Sequence, residues 1–161
     1  FAASWELLRP LVRRRPGVVV DAANVVGSVP DGWWKDRRGA NEALRDRIEA
    51  LAASDRGVRP AFFGLSDDTG VDRVFPDWAF VAESTARGIP GAAHVRVVDA
   101  VESGDDAIVE QVQIAVSGGG LVVVVTSDAE LRTRCTAVGV DTARGSKQLL
   151  KLLGQSEQPR P

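Results

Sequence analysis

Hydrophobic and polar positions follow two repeats along the chain, short apolar runs and apolar residues spaced three or four apart. Residues 17–21, GVVVD, form a β-branched run closed by Asp21 and read as a buried strand. Leu44, Ile48 and Leu51 then recur at i, i+4 and i+7 within 41–53, which predicts an amphipathic helix stopped by Gly57. The same patterns predict strands at 58–65, 95–98 and 121–126 and a short one from Val140, with helices over about 105–116, 128–138 and 146–153. Residues 74–83 fit neither repeat and stay unassigned. The closing GQSEQPRP, 154–161, is polar and carries prolines, so a disordered tail is expected after a single domain spanning 1–153.

Strands separated by helices of this length require right-handed crossovers, and hence a mainly parallel sheet covered on both faces. The expected architecture is a three-layer α/β/α sandwich with a five-stranded sheet in the order 3-2-1-4-5. In such sheets ligands bind beyond the carboxyl ends of the strands, where the strand order reverses. Asp21 ends the first strand and Asp128 follows the fourth, in VVVVTSD. With that order the two strands are neighbours, and Asn24 and Ser127 share their loops. In SGDDAIVEQVQIAV, Asp105 heads the stripe of Val109, Val112 and Val116, whereas Asp106 shares one with Glu110 and Gln113. Asp105 is therefore the third candidate at the rim and Asp106 the second choice. Taken singly, each has a simpler reading: Asp128 and the 105–106 pair suit helix caps and first turns, and Asn24 suits a turn.

Composition narrows what such a rim can do. One Cys and one His among 161 residues exclude an internal disulfide and the usual zinc sets, so a metal here would be held by oxygen. Converging carboxylates repel, and Mg2+ or Mn2+ is the cation that oxygen ligands with room for water would take. Phosphoryl chemistry follows from such a centre. The net charge of −2 does not mark a broadly basic nucleic-acid binder, yet Arg supplies 17 of 20 cationic side chains and several cluster, as at Arg13, Arg14 and Arg15. Lys35, Arg37, Arg38, Arg144 and Lys147, with Trp34 beside Trp33, are candidate contacts to phosphates and bases. Ordinary loop surface is the competing reading for each. Cys135 shares a helical stripe with Leu131 and Val138 and reads as a core thiol, and His94 as the start of a strand. FAASWELLRP acquires Glu6 and Arg9 too early for a signal peptide, and no apolar run is long enough to span a bilayer, so the expectation is a cytoplasmic protein without membrane contact.

DAAN at 21–24, ESGDDAIVE at 102–110 and TSDAEL at 126–131 resemble the NYN branch of the PIN-like ribonucleases, in particular its bacterial YacP-like domains. The resemblance implies a PIN-like sandwich and hydrolysis of single-stranded RNA with Mg2+ or Mn2+. It carries metal-site roles to Asp21, Asp105 and Asp128, a supporting polar role to Asn24, and places Ser127 beside the metal. Many relatives have a further acid after the first helix; here Glu49 and Asp36 are the two options. Beside this endoribonuclease stand two alternatives: a non-catalytic RNA-binding or ribosome-associated module, and a nucleotide phosphohydrolase. A haloacid-dehalogenase-type phosphatase would want an Asp where Ala23 stands, and no phosphate-binding GxxxxGK[ST] loop or dinucleotide fingerprint occurs.

Overall fold

A computed structural model describes residues 15–160. Arg13, Arg14 and the FAASWELLRP segment lie outside the described residues. Five parallel strands, β1 (Gly17–Asp21), β2 (Asp77–Ala82), β3 (Val95–Asp99), β4 (Val122–Val125) and β5 (Thr142–Arg144), pair in the order β3-β2-β1-β4-β5. The helices are α1 (Ala22–Gly27), α2 (Arg37–Ala53), α3 (Gly104–Ser117), α4 (Ala129–Ala137) and α5 (Ser146–Ser156). This is the expected three-layer sandwich and strand order.

Because side chains alternate across a strand, each central strand serves two cores at once. Val18 and Val20, Trp78 and Phe80, and Val123 and Val125 face Leu44, Ile48, Leu51, Leu149 and Leu153 of α2 and α5. Val19, Ala79, Val81, Val122 and Val124 face Ile108, Val112, Leu131 and Cys135 of α3 and α4. Each fully buried valine contributes roughly 1.5–3 kcal/mol by leaving water, which is why the strands are apolar on both faces.

Two expectations about elements do not hold. Residues 58–65 form no sheet strand: Val58 makes one antiparallel bridge to Val74, and Pro60–Phe63 is a 3₁₀ turn. Pro60 has no N–H for a ladder and opens the turn, and Gly64 closes it at φ 73°, which a glycine adopts without strain. The second strand is instead β2, within the stretch left unassigned, where Trp78 to Ala82 are all buried. At the other end, α5 runs three residues beyond the expected Leu153. After it, Glu157 pairs with Arg47 of α2, and Arg160 with Asp55.

Candidate active site

Asp21 is the last residue of the central strand and also the N-cap of α1. It is 8% exposed. One carboxylate oxygen accepts the backbone N–H of Asn24 at 3.2 Å, and the other accepts the hydroxyl of fully buried Thr126 at 2.8 Å. Burial pushes the Asp21 carboxyl up to about 6; the two hydrogen bonds oppose the rise, and the negative charges of Glu83 and Asp105 add to it.

The neighbouring strand ends deliver those charges. Asp21 pairs in register with Val81, so Glu83 leaves β2 beside it. The Glu83 carboxylate lies against Gly104, where any side chain at the start of α3 would collide with it. Asp105 follows in the first turn of α3, and its carboxyl is raised by burial and then by Asp128, with Arg134 opposing. Asp128 caps α4 by accepting the Leu131 N–H at 2.8 Å. Among the described residues, none of Asp21, Glu83, Asp105 and Asp128 takes part in an ion pair.

A polar frame ties this rim together. The Oδ1 of Asn24 accepts the Ser127 N–H at 2.8 Å and the Ser146 hydroxyl at 2.6 Å, while Ser127 Oγ accepts the Ser146 N–H at 3.0 Å. A backbone N–H can only donate, so this atom of Asn24 is the amide oxygen, and both of its lone pairs are occupied. Its NH2 group makes no hydrogen bond among the described residues. The β1–α1, β4–α4 and β5–α5 junctions are thereby locked to one another.

The remaining expected residues fall elsewhere. Asp106 turns away from the cluster to Arg134, 2.7 Å distant. Of the two options for a further acid, Asp36 caps α2 through the Gly39 N–H at 2.9 Å, and Glu49 binds the backbone and ring of His94 before β3, at the opposite end of the sheet. The further acidic side chain whose charge reaches Asp21 is Glu83, which the sequence reading did not single out. The Arg38 guanidinium donates to the carbonyls of Arg87 and Gly88, and that of Arg144 to those of Ala61 and Phe62. Both serve as loop clamps, the competing reading for these cations. Trp34 is 59% exposed and stands with exposed Lys35; Arg37 lies over the Trp33 ring at 5.1 Å. Lys147 is exposed in the first turn of α5. Cys135 is buried, as expected, and burial raises its thiol to about 11.

Among the described residues, no three Asp, Glu, His or Cys side chains are gathered into a ready-made metal cage. The donor set of the rim is nonetheless all oxygen and negative. Such a set fits Mg2+ or Mn2+, since Mg2+ keeps several waters and is commonly held by one or two carboxylates together with substrate phosphates. No helix among the described residues is long and apolar enough to cross a membrane.

No protein-family model matches the chain, and no curated protein matches its sequence. Solved structures do match. Rae1 (YacP) from Bacillus subtilis aligns at 15% identity with a TM-score of 0.62, over 87% of this chain and 74% of that one. Its W164L mutant aligns at 15% identity with a TM-score of 0.60, over 88% and 77%. The five-stranded parallel sheet in the order 3-2-1-4-5, with helices on both faces, is thus the PIN-like fold of Rae1.

Proposed function

We propose that this protein is a Mg2+- or Mn2+-dependent endoribonuclease that hydrolyses phosphodiester bonds of single-stranded RNA. The observation that carries the proposal is the closeness of Glu83 and Asp105 to the buried Asp21, and of Asp128 to Asp105, at one rim where none of the four makes an ion pair among the described residues and Arg134 is the cation set against Asp105. Like charges around a buried carboxylate such as Asp21 are costly unless a cation joins them. The motif resemblance to the NYN ribonucleases and the fold of Rae1 support the same reading.

A bound divalent ion would supply charge neutralisation, a more acidic water and stabilisation of the phosphodiester's developing charge. Asp21 is the fixed anchor, its orientation set by Thr126 and by the Asn24 N–H. Asp105, more exposed and with a raised carboxyl pKa, takes the proton of the attacking water on a carboxylate oxygen. Asn24 donates through its NH2 group to a phosphate oxygen, because its oxygen is already engaged. The exposed Trp34 and Lys35 supply a stacking face and a positive charge to the strand of RNA.

A second reading, a non-catalytic RNA-binding or ribosome-associated module, is favoured by the lack of a three-ligand cage among the described residues. End-labelled single-stranded RNA separates the two. The parent protein should give internal fragments with Mg2+ or Mn2+ and none with a chelator, and Asp21→Asn should lose at least about 100-fold in rate while still binding RNA. Binding by the parent without cleavage in either metal would leave the second reading standing.

A further inference from the structure

Arg132, in α4, is fixed at the rim in a way unlike Arg38 and Arg144. Its Nε donates to the Thr126 carbonyl at 2.7 Å, and the N–H of the same Thr126–Ser127 peptide goes to Asn24. The peptide that leads into Asp128 is therefore held between a guanidinium and an amide. Arg38 and Arg144 each use two nitrogens on loop carbonyls, whereas Arg132, among the described residues, uses Nε alone. Among the described residues it makes no ion pair, although Asp128 and Glu130 lie on the same helix start.

Its free edge points to a definite place. A side chain at Gly145 would meet the Arg132 Nη2 at 3.4 Å, the Ser127 Oγ at 3.5 Å and the Gln148 Oε1 at 3.7 Å, so these three atoms border the gap that the glycine leaves open, the last of them already accepting the Gly145 N–H. Gly145 has an extended backbone, φ −77° and ψ 162°, which any residue adopts. Space, and not backbone conformation, is what a side chain at 145 would take.

We propose that Arg132 is a positioning contact for RNA: its Nη groups grip a backbone phosphate in the gap between Ser127 and Gly145, next to the acidic rim. A guanidinium anchored at Nε keeps the two-pronged edge that matches a phosphate's oxygens and loses little freedom when it binds. The contact rests on reading the rim as an RNA site, and it sets the side from which the strand enters, along the β4–α4 junction and the start of α5. Since it reads a phosphate and not a base, it contributes affinity without sequence preference.

Binding of a fluorescent single-stranded RNA to the full chain, measured in chelator across a salt series, tests this without cleavage. Arg132→Ala should weaken binding about tenfold, as for loss of a charge-assisted hydrogen bond. It should also lower the slope of log affinity against log salt by about 0.7, one phosphate's worth for a single strand. Arg132→Lys should keep the slope, and the thermal midpoint and Mn2+ binding should match the parent. Gly145→Val fills the gap with Arg132 intact and should weaken binding also, which serves if loss of the Thr126 contact harms folding. An unchanged salt slope in Arg132→Ala, or parent-like affinity in Gly145→Val, would overturn the contact. A parent that binds RNA and cuts nothing sinks the nuclease reading alone, whereas a parent that binds no RNA sinks both.

Discussion

At the scale of single residues, the hydroxyl of Thr126 does more than its burial requires, donating to Asp21 and accepting the Asp128 N–H at 3.2 Å. Replacing it by valine keeps the volume and leaves both partners unsatisfied in a buried place. Thr126→Val should therefore cost about 1–3 kcal/mol in urea unfolding, several times what its methyl packing alone would suggest. It should also raise the Asp21 carboxyl further, since that hydrogen bond holds it down. How far a residue could be read in advance follows the range of its interactions. Asp21 was legible because it closes a strand, a local event. The occupied oxygen of Asn24 was not, since its partner Ser146 lies 122 residues away. Glu83 was missed for a similar reason: it comes near Asp21 only because β2 is the strand it leaves.

At the scale of elements, the apolar repeats located α2, α3, α4 and α5, because each presents a single buried stripe to the sheet. They failed for β2 and for 58–65, where local chemistry and tertiary placement disagree. A strand buried on both faces shows no alternation, and Pro60 turns a β-like run into a 3₁₀ turn. Asp128 shows how an element and a site can share one side chain, since it caps α4 and stands at the acidic rim. The two roles separate by substitution. Asp128→Ser should retain the cap and stability to within a few tenths of a kcal/mol, whereas Asp128→Ala should lose about 1 kcal/mol. If Asp128 serves RNA hydrolysis, both variants should lose activity alike; a fully active serine variant would reduce Asp128 to a cap. Thermal melts beside cleavage rates make the comparison.

For the molecule as a whole, the acidic rim sets how stability depends on pH and on metal. The Asp21 carboxyl ionises at 3.8 when free and at about 6 in the fold, so the folded state holds its proton more tightly than the unfolded chain. The contribution is then fully present below pH 3.8 and is lost as pH rises through about 6. At neutral pH the ionised Asp21 should cost the metal-free protein on the order of 3 kcal/mol, and Asp105 acts in the same direction. The apparent melting temperature in chelator should accordingly fall between pH 5 and 7.5. Asp21→Asn removes the charge while keeping the shape, so its melting temperature should change less over that range and exceed the parent's at pH 7.5. A divalent ion binds the folded state and not the separated carboxylates of the unfolded chain, so millimolar Mn2+ should restore the parent's stability at pH 7.5 and leave Asp21→Asn largely unmoved. Calorimetry of both proteins with and without Mn2+ reads all four conditions. Equal Mn2+ responses in the two would mean that the ion binds elsewhere, and that Glu83 and Asp105 stand near Asp21 for some other reason than to hold it.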